Sequence, residues 1–117
     1  MKILIVEDSP PMLRLIRRVI ADRASEIFDC DGGAAAILLY AAWRPDLVLM
    51  DVELKQMNGI AATGRIRQDY PDARIVIVTN YDDDDLRRAA ATAGANGYVL
   101  KDNLLALRPL LKEAQTH

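Results

Sequence analysis

Five short apolar runs punctuate this chain, each bounded by charge, glycine or proline before it can lengthen. Lys2-Ile3-Leu4-Ile5-Val6, Leu47-Val48-Leu49-Met50, Arg74-Ile75-Val76-Ile77-Val78 and Gly97-Tyr98-Val99-Leu100 are almost continuously apolar, and Glu26 to Cys30 is a weaker run. Runs this short and this rich in aliphatic residues suit strands buried on both faces. Helical signals fill the intervals. Ser9-Pro10 offers an N-cap and a first-turn proline, and Met12, Leu15, Ile16, Val19 and Ile20 follow at helical spacing. Gly32-Gly33 precedes an alanine-rich helix from Ala34 to Trp43, ended by Pro45. A third helix runs from Gly59 to Tyr70, with Gly64 inside it and Pro71 as its stop. Asp82 to Asp85 lead into a fourth, through Ala93, closed by Gly94. The last carries Leu107, Leu110, Leu111 and Ala114. Pro109 cannot sit deep inside it, so its regular part is expected to begin close to Leu105 or Ala106. Alternation of this kind predicts an α/β fold, a five-stranded parallel sheet with helices on both faces.

No repeat, low-complexity stretch or linker divides the 117 residues, so residues 1–117 read as one domain. Nothing approaches the ~18 apolar residues of a membrane span. The first strand follows Met1 directly, which predicts no cleaved leader and a cytoplasmic setting. Cys30 is the single cysteine and His117 the single histidine, which excludes an internal disulfide, a cysteine zinc site and histidine catalysis. Fifteen basic against seventeen acidic residues argue against direct nucleic-acid binding by this segment. Chemistry must therefore come from carboxylates, hydroxyls and lysines.

In sheets of this type, sites form outside the carboxyl ends of the strands, where strand order reverses. Strand one ends in Glu7-Asp8, strand three in Asp51, strand four in Thr79 and strand five in Lys101. Three carboxylates crowded together are unfavourable without a cation. With Lys101 they leave a charge of −2. Few oxygen ligands with room for water suit Mg2+. Such a site can accept a phosphoryl group. Asp51, ending the most hydrophobic run, is the candidate nucleophile, and Glu7 and Asp8 would hold the metal. Lys101 and Thr79 would stabilise charge on the transferring oxygens.

These residues, in these settings, resemble the receiver domain of two-component response regulators. The matching stretches are Ile3-Leu4-Ile5-Val6-Glu7-Asp8, Pro45-Asp46-Leu47-Val48-Leu49-Met50-Asp51 and Met57-Asn58-Gly59. They continue with Val76-Ile77-Val78-Thr79 and with Ala93-Gly94-Ala95-Asn96-Gly97-Tyr98-Val99-Leu100-Lys101. The resemblance covers essentially the whole chain. It implies a flavodoxin-like fold of strand order 2-1-3-4-5. It also implies phosphorylation of Asp51 by a histidine kinase or phosphotransfer protein, with Mg2+ held by Glu7, Asp8, Asp51 and the backbone carbonyl of Glu53. Thr79 and Tyr98 would be the switch pair. The surface of the fourth helix, fifth strand and fifth helix would be the remodelled face and a possible homodimer interface.

The chain departs from the family pattern in places. Lys55 stands where proline is usual, which adds a cation near the site. Glu53 and Tyr81 occupy the two positions that tune loss of the phosphoryl group to water. Asn80 stands where a smaller residue is commoner. Asp102 replaces a frequent proline, so no cis bond is expected after Lys101. Asn80 and Asp102 together lean toward the subgroup with helix-turn-helix outputs. Two other functions stay open at this point. One is a receiver-like interaction module that no longer takes phosphate. The other is a Mg2+-dependent phosphatase with an aspartyl nucleophile, against which stand Glu53 in place of a second aspartate and the lack of length for a substrate cap.

Overall fold

The computed structural model describes residues 1–116. His117 lies outside them. The five apolar runs are strands: β1 (Lys2–Val6), β2 (Glu26–Cys30), β3 (Leu47–Met50), β4 (Ile75–Thr79) and β5 (Gly97–Leu100). They form one parallel sheet of order β2-β1-β3-β4-β5. The helices are α1 (Pro10–Ile20), α2 (Gly33–Trp43), α3 (Gly59–Asp69), α4 (Asp84–Ala93) and α5 (Leu107–Gln115). Among the described residues, no helix is long and apolar enough to cross a membrane.

Side chains alternate across each strand, and both sets are apolar in β1, β3 and β4, so the sheet has a core on each face. Leu4, Val6, Val48, Met50, Ile75 and Ile77 pack with Ala36, Tyr40, Ala62, Ile66 and Ala90 from α2, α3 and α4. Ile3, Ile5, Leu47, Leu49, Val76 and Val78 pack on the opposite face with Ile16 and Ile20 of α1 and Leu107 and Leu111 of α5. The chain steps from β1 outward to β2, then crosses back to β3 on the other side of β1. The strand order therefore reverses between β1 and β3, and the ends of those two strands flank the crevice.

Helix ends follow side-chain chemistry. The hydroxyl of Ser9 accepts from the N–H of Met12, Asn58 Oδ1 accepts from Ile60 and Ala61, and Asp83 Oδ1 accepts from Leu86. Gly94 closes α4 at φ 101°, a backbone that disfavours any side chain. Asn58-Gly59 thus starts a helix. Gly59 is there for space as well, because a Cβ on it would come 1.7 Å from the carbonyl oxygen of Asp51.

Some boundaries differ from the sequence reading. α2 is closed by Arg44 in a left-handed conformation (φ 50°), one residue before the expected proline stop. Tyr70 caps α3 instead of continuing it, and β4 runs from Ile75 through Thr79. A 3-10 segment, Lys101–Ala106, precedes α5, and Pro109 falls in the first turn of that helix as expected. No peptide bond among the described residues is cis, the one after Lys101 included.

Candidate functional site

Each acidic or basic group proposed from sequence leaves the carboxyl end of its strand, and the parallel register gathers those ends. Val6 lies opposite Met50 across the β1–β3 ladder, so Glu7 and Asp51 emerge side by side. The backbone N–H of Asp51 donates to the carbonyl of Val6 at 3.0 Å, extending the ladder to the carboxylate itself. One carboxylate oxygen each from Glu7, Asp8 and Asp51 lie within 4.8 Å of one another. Lys101 reaches in from the far side. Its ammonium lies 2.7 Å from Glu7 Oε1 and 3.1 Å from Asp51 Oδ2. All three side chains of that ion triad are at least nine-tenths buried, whereas Asp8 faces solvent.

Glu7 is held by its neighbours. Its Oε2 accepts from the backbone N–H groups of Asp8 and Ser9, at 3.0 and 3.1 Å. Its Oε1 meets only the Lys101 ammonium, off the hydrogen-bond axis, which leaves a buried oxygen under-satisfied. Asp51 is electrostatically strained. Burial and then the nearby Glu7 charge push its carboxyl up to about 6, against the opposing pull of Lys101 and the Glu53 N–H. For Lys101, burial disfavours the charge, but contact with Glu7 and Asp51 outweighs it and holds the ammonium above its ordinary value.

The acids open onto a cavity of about 400 Å3 lined by Glu7, Asp8, Ser9, Asp51, Glu53, Leu54, Lys55, Asn80 and Lys101. A larger cavity of about 770 Å3 lies around Tyr40, Asp46, Arg67 and Arg74, away from these groups. Its Arg67 is committed to the carbonyls of Pro71 and Ala73. The donors at the acidic cavity are hard oxygens, few in number, one of them buried without a full partner. That set fits Mg2+.

Thr79 ends β4 fully buried, and its hydroxyl accepts from the N–H of Tyr81 at 3.3 Å. Among the described residues it makes no hydrogen bond to Asp51. Tyr98 is half-buried on β5, and its hydroxyl donates to the Tyr81 carbonyl at 2.6 Å. The Arg87 guanidinium covers its ring at 4.5 Å and is itself held by Asp82. Burial raises the Tyr98 phenol, with Arg87 opposing.

Sequence reasoning did not foresee that Tyr81 and Glu53 touch. The Tyr81 hydroxyl donates to Glu53 Oε1 at 2.5 Å and bridges the loops after β3 and β4. The hydrogen bond to Glu53 raises the Tyr81 phenol above its ordinary value. Nor did it foresee that Lys55 pairs with Gly32 through backbone and with Asp31 through its side chain. Both contacts join loops, where residue periodicity carries no signal. Asn80 lines the cavity.

The family model described as the response regulator receiver domain matches residues 3–112. The chain is 31% identical over 100 residues to the chemotaxis protein CheY of Halobacterium salinarum, covering 86% of this chain and 83% of that protein. It is 36% identical over 104 residues to the nitrate/nitrite response regulator protein NarP of Escherichia coli, covering 87% of this chain but 48% of that protein. A crystal structure of a LuxR-family two-component response regulator from Aurantimonas superposes with a TM-score of 0.83 at 33% identity, covering 96% of this chain and 85% of that one. The chain thus spans most of the chemotaxis protein and about half the length of the transcriptional regulators it matches.

Proposed function

The chain belongs to the response-regulator receiver family, and from that premise we propose that it is a phospho-accepting signalling switch with Asp51 as the acceptor. One observation carries the proposal: the Lys101 ammonium sits between Glu7 and Asp51, 2.7 and 3.1 Å away, with the Asp8 carboxylate at the same rim. Glu7 and Asp8 with Asp51 and the Glu53 carbonyl would hold Mg2+, which when bound supplies positive charge against the carboxylates and the phosphoryl oxygens. Lys101 then stabilises the phosphoryl group in place of the Asp51 charge it now faces. Thr79 donates its hydroxyl to a phosphoryl oxygen once it leaves the Tyr81 N–H, and Tyr98 responds by giving up or remaking its bond to the Tyr81 carbonyl. That change remodels the face of α4, β5 and α5. Phosphorylation adds negative charge and strong acceptor oxygens at Asp51, which is the differential contact such a switch needs.

The proposal extends to partners. A histidine kinase or phosphotransfer protein supplies the phosphoryl group in the cytoplasm, residues 1–117 act as one receiver unit, and two copies associate through the α4–β5–α5 face. The relatives of twice this length include transcriptional regulators, and a helix-turn-helix output is the corresponding proposal for the parent of this domain.

The test is incubation with Mg2+ and acetyl phosphate, followed by intact mass. Gain of one phosphoryl group that disappears in Asp51→Asn supports the switch. Continuous turnover of phosphate esters would instead mark an aspartyl phosphatase, and no modification an interaction module that has lost phosphate chemistry. Mass is the readout of choice, because Trp43 lies at the other end of the sheet, where its carbonyl accepts from the Lys2 ammonium at the start of β1.

A further inference from the structure

Two lysines line the acidic cavity, and only one is committed. Lys101 is buried between Glu7 and Asp51. The Lys55 side chain is 69% exposed and, among the described residues, pairs only with Asp31, 3.8 Å away and itself 65% exposed. A contact that long between two hydrated groups holds neither in place. The backbone of Lys55 is held firmly. It pairs with Gly32 just before α2, its carbonyl accepts from the N–H of Met57 at 2.8 Å, and Gln56 beside it is fixed in a left-handed turn at φ 72°. The stem therefore has a fixed root on the cavity rim and a head free to swing.

The wall of that cavity is short of positive charge. Glu7, Asp8, Asp51 and Glu53 line it, against Lys101 and the solvent-exposed Lys55. A phosphodonor carries further negative charge into the same space, so a cation at the mouth changes what the site admits. We propose that Lys55 is a specificity residue for the phosphodonor and selects small acyl phosphates over donors with a nitrogen leaving group. The proposal rests on the reading of Asp51 as the acceptor.

The chemistry follows from direction and charge. A carboxylate oxygen of Asp51 forms a bond to phosphorus while the bond from phosphorus to the acyl oxygen breaks. The electron pair of the broken bond stays on the departing carboxylate, and no proton moves. Attack and departure lie roughly in line. Asp51 is buried at the cavity floor, so the leaving oxygen faces the mouth, where Lys55 is rooted. Negative charge grows on that oxygen as the bond breaks, and an ammonium there favours the transition state over the ground state. In a phosphoramidate the electron pair returns to a nitrogen that starts protonated, so the leaving atom passes from positive to neutral, is never negative, and offers Lys55 nothing to attract as the donor goes from solution to transition state.

The experiment compares the rates at which acetyl phosphate and phosphoramidate modify the full chain in Mg2+, read by intact mass. Lys55→Ala is expected to slow acetyl phosphate about fivefold, the size of one solvated charge contact, and the slowing should shrink with added salt. Phosphoramidate should react with the variant as with the wild type, and Lys55→Arg should recover most of the acetyl phosphate rate. Equal slowing with both donors would assign Lys55 to the loop's shape and overturn the proposal, as would no slowing with either. A wild-type chain modified by neither donor would show instead that the acceptor reading itself is wrong.

Discussion

Replacing Asp51 should make the metal-free protein more stable, although Asp51→Asn removes a buried ion pair. In the folded chain the Asp51 carboxyl is raised from 3.8 to about 6, by burial first and by Glu7 second. A carboxyl with a raised folded value holds its proton more tightly folded than unfolded. The native state is therefore favoured at low pH and loses that advantage as pH rises through the interval between the two values. The gap of about two, at about 1.4 kcal/mol per pH unit, sets a ceiling of about 3 kcal/mol for the cost of ionising Asp51 in place. The cavity is open to water on one side, so a gain of about 1–2 kcal/mol is the working expectation for the asparagine variant near neutral pH. Asparagine is isosteric and uncharged, so it leaves Lys101 with Glu7 alone. Urea unfolding of both proteins, without divalent ions, from about pH 4 to about pH 8 measures the difference. The curves should meet near the acid end, diverge through the interval and run parallel above it. With Mg2+ at about a hundredfold excess over its dissociation constant, the wild type should gain about 2.7 kcal/mol and the variant less. Equal stability of the two proteins at alkaline pH, or a gain independent of pH, would refute the account of Asp51 as a carboxylate held ionised at a cost.

Other perturbations separate the roles of neighbouring groups. Lys101→Met should destabilise the protein by about 3–5 kcal/mol, because Glu7 and Asp51 are left buried without their cation; adding Asp51→Asn should restore part of the loss in a urea titration. Gly59→Ala forces a methyl to within 1.7 Å of the Asp51 carbonyl, so it should cost about 1–3 kcal/mol in thermal unfolding and displace the acceptor loop, with slower Asp51 modification as a second readout. Gly64→Ala should do the opposite and stabilise by about 0.5–1 kcal/mol in the same assay, since the helix gains propensity and the new methyl meets Ala93 Cβ at an ordinary 3.7 Å.

What the sequence disclosed, and what it hid, divides along a physical line. Strands buried on both faces must be apolar without interruption, so the first charge after each run marks its end. Glu7, Asp51 and Lys101 could be read in that way before any geometry. Ser9 and Gly94 were legible as a cap and a breaker because their own side chain, or the lack of one, does the capping, whereas the caps made by Asn58 and Asp83 show only in the structure. Arg44 was not. A left-handed arginine is locally unfavourable, and what accompanies it is a tertiary contact, the guanidinium lying 4.3 Å over the ring of Tyr70. The 3-10 segment after β5 has no side-chain cap and contains the non-helical Asn103, so no periodicity announces it. The Tyr81–Glu53 bridge joins residues 28 apart on two loops and depends on how both loops turn.

The same sheet that makes the site readable also makes it unstable in isolation. Because β1, β3 and β4 are covered on both faces, the residues that follow them leave a dry interior, and their charges are only partly rehydrated. Glu7 and Asp51 then share one ammonium, and an oxygen of Glu7 goes without a full partner. An inert fold would relieve this by replacing an acid with a neutral residue, at little cost to packing. The arrangement is favourable only if something bound restores the charge balance, which a divalent cation among Glu7, Asp8 and Asp51 would do. On the proposed reading, a phosphoryl group on Asp51 would add further charge and place it on oxygens within reach of Lys101 and a reoriented Thr79. Stability withheld from the free state is thus available as differential affinity between states. That difference is the free energy a switch requires.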